Sequence, residues 1–265
     1  MDCFPLPVRE TLSIMNPTIA LILAIAFFSA SPTIAATAPE WIAQGDALDA
    51  KLQTSEALKA YLKAEELTQD DPRLLIKIAK QYGESMVDLK SEASQKSAGE
   101  SALSYAKRAI ALAPQLADAH LAVAICYGRL LNYVPAKQKV EYSRQIKVHA
   151  DQAVALDPRS DYAWHMLGRW HRAVAETDPL LKGFVNIVYG GLPDASLEDA
   201  AKAFEKAASL NPKRIAHHIE LGLTYAAMKD PTKARQAIEK GLSLPARERD
   251  DPDTQARGRA TLKTL

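Results

Sequence analysis

Cysteine is scarce in this chain, and this limits how the fold can be held together. The 265 residues include two cysteines, Cys3 and Cys126. Cys3 lies in an N-terminal segment that has the features of a removable leader. With Cys126 alone remaining, no disulfide can form within the mature chain, even in an oxidising compartment. The mature fold must therefore be stabilised by packing.

Glycine and net charge are also low. The chain has 11 glycines, and 33 Lys and Arg face 32 Asp and Glu, for a formal charge of +1. Such a balance argues against nucleic-acid binding driven by bulk charge. Because glycine is rare while Ala, Leu, Glu and Lys are common, the composition favours helix.

Motifs for catalysis and cofactor binding are missing from the sequence. We find no CxxC or HExxH pattern, no GxSxG nucleophile turn, and no GxGxxG or Walker-type phosphate loop. The sequence therefore predicts a non-enzymatic protein without a cofactor or metal. One alternative is an enzyme or small-molecule binder that uses His165, His171 and Arg172 in a pocket under an inserted helix.

The N-terminal segment resembles a secretory signal peptide. Arg9 precedes an apolar run from Ile19 to Ala30, which is shorter than the ~20 residues of a membrane-spanning helix. Small residues follow and offer cleavage after Ala38, or after Ala35 as a second option. The sparse positive charge before the run would fall further if Met15 were the true start.

We therefore assign residues 1–38 to a signal peptide and expect an exported protein, periplasmic or secreted. The alternatives are an uncleaved leader that anchors the chain to a membrane, and a location in the cytoplasm or on the cytoskeleton.

The remainder of the chain contains an internal repeat. Five amphipathic segments each end near a proline, at Pro72, Pro114, Pro158, Pro212 and Pro245. A second apolar segment precedes each of them. Because proline cannot continue a helix, each one marks the turn into the next repeat unit.

The fourth unit matches the tetratricopeptide pattern well. Trp164 supplies the bulky residue and Gly168 the small one, and Ala200, Phe204 and Ala207 follow in the partner helix. Small side chains let the two helices approach closely, while the aromatic rings fill the neighbouring space. One helix pair cannot bury its apolar face alone, so the pairs must stack.

The predicted fold is all-α: an α-α superhelix of about five tetratricopeptide-like helix pairs over residues 39–265. The first four of these prolines are further apart than the standard unit of ~34 residues, so we expect inserted helices between pair members. A last helix, at about Asp253 to Leu265, is expected to cap the open end of the array.

The most apolar stretch of the mature chain runs from Asp178 to Pro193. Asp178 can cap a helix, Pro179 suits its first position, and Gly190 can end it. We predict a short helix at about 179–189 that packs on the outside of the array or plugs one end. An exposed patch that contacts a partner or a membrane surface is the alternative. Its residues would be Leu180, Leu181, Phe184, Val185 and Val188.

Histidine and cysteine side chains are expected to serve packing. His120 and His218 take the bulky position that Trp164 fills in the fourth unit. His165 and His171 are six residues apart, which is not the i, i+4 spacing of a metal-binding pair on a helix. Cys126, among small apolar residues, is predicted to be a buried, unreactive thiol.

The first helix of each pair should line a concave groove, in which basic residues gather at the middle units. Arginine can hold a carboxylate through two parallel hydrogen bonds. We therefore hypothesise that the groove binds an acidic segment or a C-terminal carboxylate of a partner protein. The alternative is a solvated charged face, or pairing with Asp118 and nearby Glu residues. The candidate groove residues are Lys80, Arg129, Tyr162, His165, Arg169 and Arg172.

The region from about Ala102 to Leu265 resembles the regulator of microtubule dynamics proteins, which are irregular tetratricopeptide-like proteins. The segments that carry the resemblance are "ALSYAKRAIAL", the Gly168-Arg169-Trp170 motif, and the short helix that ends before a small-residue loop. The resemblance implies a non-enzymatic, all-helical adaptor. Animal members are associated with microtubules, the spindle and organelle contacts. The leader, typical of bacterial export, favours instead a scaffold of the cell envelope, with the microtubule-associated adaptor as the alternative.

Overall fold

Residues 36–265 are described by a computed structural model, in which they form twelve α-helices and two short 3₁₀ turns, with no strand in this part of the chain. They make up one compact unit. The signal-peptide prediction falls almost wholly on residues 1–35, outside the described part. The helices are α1 (Ala38–Asp49), α2 (Thr54–Leu67), α3 (Pro72–Ser85), α4 (Glu92–Leu112), α5 (Ala117–Leu130), α6 (Ala136–Leu156), α7 (Asp161–Ala175), α8 (Pro179–Tyr189), α9 (Leu197–Leu210), α10 (Ile215–Ala227), α11 (Pro231–Leu242) and α12 (Asp251–Leu262).

The helices pack as five consecutive pairs, as the sequence predicts. The pairs are α1/α2, α3/α4, α5/α6, α7/α9 and α10/α11, and each pair stacks on the next. Helix α12 packs against α10 and α11 and covers the last pair, so the expected capping helix is confirmed. It runs over Asp251–Leu262, slightly earlier than predicted.

Close approach within a pair depends on the small residues that the repeat pattern places there. At Gly168 of α7, an added Cβ would lie 2.8 Å from ring carbons of Phe204 on α9. Phe204 and Ala207 are fully buried in this contact. The aromatic ring therefore packs against the backbone of the facing helix, which brings the two helix axes together.

The extra residues of the second and third units extend their second helices. Both α4 and α6 have 21 residues, and a 3₁₀ turn precedes each, at Met86–Asp88 and Leu131–Tyr133. The insertions thus add helical turns where separate inserted helices were expected. Only the fourth unit contains an additional helix, α8, between its two members.

Helix α8 forms where the sequence places it, but its packing was predicted wrongly. The Asp178 carboxylate accepts hydrogen bonds from the Leu180 and Leu181 amides, and Gly190 ends the helix in the left-handed conformation at φ 75°. No residue of α8 is buried. The helix therefore neither plugs the array nor buries its apolar side against it.

Cys126 lies in the largest apolar cluster, which joins the second to the fourth units. The thiol is buried, and burial raises its pKa to about 12. Such a group stays protonated at neutral pH, which confirms the prediction of an unreactive thiol. Among residues 36–265, none of the helices combines the length and the apolar character needed to cross a bilayer.

Candidate binding groove

The first helices of the pairs line a concave groove with a cavity of about 690 Å³. Its floor is apolar and comes from Ile76 of α3 and from Leu121 and Ile125 of α5. Tyr162 of α7 and charged side chains form its walls. This volume lies within the usual range for ligand pockets, ~300–1,000 Å³, so the groove can hold a short stretch of another molecule.

Residues 243–250, between α11 and α12, reach across the groove, and we call them the closing loop. The Arg249 guanidinium donates a hydrogen bond of 2.6 Å to the Thr54 hydroxyl and forms an ion pair with Asp88. The end of the array is thereby tied to its first and second units. The sequence did not predict these ties, because contacts over such chain separations leave no local pattern.

Two of the predicted basic residues, Lys80 and Arg129, line the groove. The Lys80 ammonium lies 2.7 Å from the Asp49 carboxylate and 3.7 Å from that of Glu84. Burial lowers the pKa of Lys80, but these two acids outweigh burial and leave that pKa raised. Lys80 is therefore charged but already paired. Arg129 has no ion-pair partner among the described residues.

The groove as a whole is not basic, contrary to the expectation that cations gather there. Seven Asp and Glu and five Lys and Arg line it. Several acids come from the closing loop and from α12, which the sequence did not place at the groove. Among the groove residues predicted from the sequence, Arg129 is the one cation that faces the cavity without a pair in the described chain.

Tyr162 lines the groove as predicted and lies beneath Arg214, whose guanidinium carbon is 4.9 Å from the ring centroid. Arg214 also pairs with Asp161 at 2.9 Å and with Glu248 at 2.6 Å. Burial alone would raise the pKa of Asp161, but the hydrogen bond from His217 and the Arg214 charge lower it to about 2. This network joins α7, the start of α10 and the closing loop.

His165 does not face the groove, and its prediction as a lining residue is wrong. It is 2% exposed, and its Nδ1 lies 3.0 Å from Nδ1 of His217. The Nε2 of His217 lies 2.9 Å from Asp161. Burial lowers the pKa of both imidazoles, so both are neutral near pH 7. The chain Asp161–His217–His165 is a buried hydrogen-bonded link between two repeat units.

Arg169 and Arg172 also lie outside the groove lining. Arg169 is exposed. Arg172 forms an ion pair with Glu220, which is 2% exposed and also lies 2.8 Å from Arg257. Helical spacing places a side chain on a face of its own helix, but it does not reveal an acid that the next unit brings to that face.

The pocket required by the enzyme alternative is not formed. None of His165, His171 and Arg172 lines the groove, and α8 does not roof them. The His171 ring lies edge-on to Trp170, with centroids 5.1 Å apart.

One carboxylate cluster has the spacing of a metal site, since oxygens of Glu248, Asp250 and Asp251 lie within 4.8 Å of one another. Asp251 accepts hydrogen bonds of 2.7 Å from the amides of Arg247 and Glu248. Glu248 is paired with Arg214. The cluster is thus already engaged in holding the turn into α12.

The rings at the bulky position of three repeat units also form hydrogen bonds, which the sequence did not predict. Nε2 of His120 lies 3.0 Å from the Pro114 carbonyl, and Nε2 of His218 lies 2.9 Å from that of Pro212. In the fourth unit, Trp164 Nε1 donates to the Pro158 carbonyl at 3.0 Å. The shared spacing of six residues was visible in the sequence. In these three units, a ring nitrogen at the bulky position satisfies the carbonyl of the preceding turn.

Comparison with known proteins agrees with this fold. The family described as "Regulator of microtubule dynamics protein 1-3" matches residues 41–265. Mouse regulator of microtubule dynamics protein 1 is 26% identical over 228 residues, which cover 85% of this chain and 74% of the mouse protein. The Caenorhabditis elegans protein of the same name is 27% identical over 147 residues, or 56% of this chain and 65% of that one. The rat protein is 28% identical over 165 residues, which cover 62% of this chain and about half, 53%, of the relative.

Among solved structures, a thermophilic tetratricopeptide-repeat protein from Thermus thermophilus is similar in fold. It has a TM-score of 0.64 at 16% identity, covering 86% of this chain and all of that one. At this identity the likeness concerns the fold alone. The family match extends over nearly the whole described array, including α1 and α2. The chain belongs to the regulator of microtubule dynamics family and has a tetratricopeptide-like helical-repeat fold.

Proposed function

We propose that this protein is a non-enzymatic scaffold of the cell envelope that binds a short segment of a partner protein in the groove. The observation that carries the proposal is Arg129, a cation without an ion pair in the described chain, at the edge of an apolar floor. The repeat fold supports the general role, because stacked helix pairs create extended concave surfaces used for binding.

The groove chemistry narrows the kind of segment. A single carboxylate can bind Arg129 through two hydrogen bonds, while an apolar side chain next to it rests on Leu121 and Ile125. A strongly acidic segment fits poorly, because seven carboxylates line the same cavity. We therefore favour a C-terminal carboxylate, or one acidic residue flanked by apolar ones.

The side chain of Arg129 is placed by its neighbours. An added Cβ at Gly83 of α3 would lie 3.1 Å from Cδ of Arg129. The arginine stem therefore lies along the backbone of the preceding unit, which limits its freedom before a ligand arrives. Less entropy is then lost on binding than for a freely mobile side chain.

Co-purification from the native host tests this proposal. Partners captured by the wild-type chain should be lost with Arg129→Glu and retained with Arg169→Glu, since Arg169 is exposed outside the groove. Synthetic peptides from a captured partner, with a free or an amidated C-terminus, then distinguish a terminal carboxylate from an internal acid. Equal capture by the wild type and by Arg129→Glu would refute the groove proposal.

The envelope location is supported by the leader-like segment, and it competes with one alternative. The names of the relatives point to microtubules, so a cytoskeleton-associated adaptor is the second candidate. N-terminal sequencing of the protein from its host separates the two: a new terminus at Ala36 or Pro39 supports export. An intact leader together with co-sedimentation on polymerised tubulin would support the adaptor.

A further inference from the structure

Helix α8 presents a continuous apolar face to solvent. Half of the exposed large hydrophobic residues of the described chain lie on its 11 residues, and each is between 50% and 87% exposed. They are Leu180, Leu181, Phe184, Ile187 and Val188. The others lie on other segments of the array, and two of them, Leu52 and Val87, line the groove. Scattered exposed apolar residues are ordinary, whereas a contiguous patch marks an interaction surface.

The orientation of α8 is the reverse of that of an ordinary surface helix. At 100° per residue, the five residues fall within an arc of about 120°. The polar residues Lys182 and Asn186 lie on the other side of the helix. A helix that packs on a core turns its apolar arc inward, but here that arc is exposed.

Specific hydrogen bonds hold α8 in this orientation. Arg144 of α6 donates to the carbonyl oxygens of Tyr189 and Gly191, the latter at 2.7 Å. Lys182 donates to the Ala175 carbonyl at 2.9 Å. Together with the Asp178 cap, these contacts fix both ends of α8 through polar groups and leave its apolar side free.

Asp178 and Asp194 flank the α8 segment, whereas basic residues predominate on the neighbouring part of α6. From Pro179 to Pro193, Lys182 is the one charged residue. The first half of α6, the helix that holds α8, has Lys137, Lys139 and Arg144 against a single acid, Glu141, and Lys147 in the second half is paired with Asp151. Lys137 and Lys139 are exposed. An apolar helix face next to basic side chains fits the surface of a bilayer with anionic lipids.

A second copy of the chain fits the patch less well. Eleven helical residues extend about 16 Å, and one such face falls well short of the ~800 Å² per partner that a stable dimer buries. Binding to a bilayer needs no minimum interface area, because each apolar side chain that enters the hydrocarbon boundary contributes favourable free energy.

We propose that α8 is an interfacial helix that inserts its apolar face into one leaflet of an anionic bilayer, with the basic residues of α6 contacting the lipid headgroups. Helix α8 lies in the plane of the surface and does not cross it. Tyr189, which packs edge-on against Phe184 with ring centroids 5.8 Å apart, lies at the boundary between headgroups and acyl chains. This surface role is independent of ligand binding in the groove.

Vesicle co-sedimentation tests the proposal with the full chain as it accumulates in its host. The probes are phosphatidylcholine vesicles with and without about 30% phosphatidylglycerol, an anionic lipid. We expect binding to the anionic vesicles and about tenfold less binding by Phe184→Glu/Ile187→Glu. The matched control is Leu67→Glu/Leu112→Glu, which alters exposed leucines elsewhere and should bind as the wild type does.

A second variant tests the electrostatic part. Lys137→Glu/Lys139→Glu should reduce the preference for anionic vesicles and weaken its dependence on added salt, because fewer charge contacts remain to be screened. The α8 variant should melt as the wild type does, because no residue of α8 is buried. Binding of the α8 variant at the wild-type level would overturn the proposal, and so would a concentration-dependent dimer that this variant dissociates.

Discussion

Arg172 of α7 forms an ion pair with Glu220 of α10, and this contact joins the fourth repeat unit to the fifth. Glu220 is 2% exposed, and its other carboxylate oxygen lies 2.8 Å from Arg257 of α12. Three helices therefore meet at one buried carboxylate. The arginine that sequence spacing assigned to partner binding is engaged in holding the array together.

Removal of Arg172 should therefore destabilise the protein. Arg172→Ala leaves a buried carboxylate with Arg257 as its remaining partner, and we expect a loss of about 3 kcal/mol in the free energy of unfolding. Arg169→Ala, one turn earlier and exposed, should change it by less than about 0.5 kcal/mol. Urea denaturation followed by circular dichroism measures both. Equal stability of the two variants would mean that the Glu220 contact is weak.

The contact between Gly168 and Phe204 predicts opposite effects for two glycine substitutions. Gly168→Ala places a Cβ 2.8 Å from the ring and should cost about 1–3 kcal/mol. Gly183→Ala lies on α8, where an added Cβ meets no atom within 4 Å, and should stabilise by about 0.5–1 kcal/mol. Thermal melting of both variants tests the difference, and a stabilised Gly168→Ala would contradict close helix packing.

The hydrogen bond made by the ring of His218 predicts which substitutions this position tolerates. His218→Trp keeps a donor for the Pro212 carbonyl and should be close to neutral, as at Trp164. His218→Phe keeps the apolar ring but loses the donor, which should cost about 1 kcal/mol. Denaturation midpoints measure the difference. If His218→Phe is the more stable of the two, packing alone decides this position.

The buried histidines predict a loss of stability as the pH falls from about 7 to about 5. Burial, with the nearby charges of His120 and Lys107, lowers the pKa of His149 to about 4. Burial also lowers the pKa values of His165 and His217. An unfolded histidine titrates near about 6.5, so below that pH the unfolded chain binds more protons than the folded chain does. The stability that these neutral imidazoles contribute is then fully present above about pH 6.5 and is lost as the pH approaches about 4.

Melting temperatures between about pH 5 and about pH 7 measure this effect. The melting temperature should depend less steeply on pH in His149→Gln, whatever the stability of that variant at neutral pH. The low pKa of Asp161 affects the stability only below about pH 4, outside this range. A melting temperature that does not change over the range would show that these imidazoles titrate normally.

The start of α1 favours one of the two cleavage sites considered for the leader. The Thr37 amide donates to the Glu40 carboxylate at 2.7 Å, in a capping box at the start of the helix. Cleavage after Ala35 keeps Thr37, whereas cleavage after Ala38 removes it and costs about 1 kcal/mol of helix stability. If the leader is removed, we expect Ala36 as the new terminus. Edman sequencing or intact mass of the processed protein checks this, and a start at Pro39 would contradict it.

Local sequence rules predicted the elements of this fold but not the partners of several charged side chains. Proline spacing and the bulky, small and aromatic positions indicated five helix pairs, and Asp178, Pro179 and Gly190 indicated α8, because each of these features acts within a few residues. The groove was predicted less well: Lys80, Arg129 and Tyr162 line it, whereas His165, Arg169 and Arg172 do not. The partners of His165 and Arg172 come from the next repeat unit, 52 and 48 residues away along the chain.

The all-α repeat follows from local features of the chain, since helical periodicity, prolines and small residues dictate helices that must bury one another's faces. Which charges remain available to a ligand, and which way α8 faces, depend instead on how the helix pairs are arranged in three dimensions. The curvature of the array brings the closing loop to α2 and the 3₁₀ turn at Met86–Asp88, pairs Arg172 with Glu220, and adds acids to a groove expected to be basic. Such encounters depend on the summed angles between successive helix pairs, and no single stretch of sequence encodes that sum.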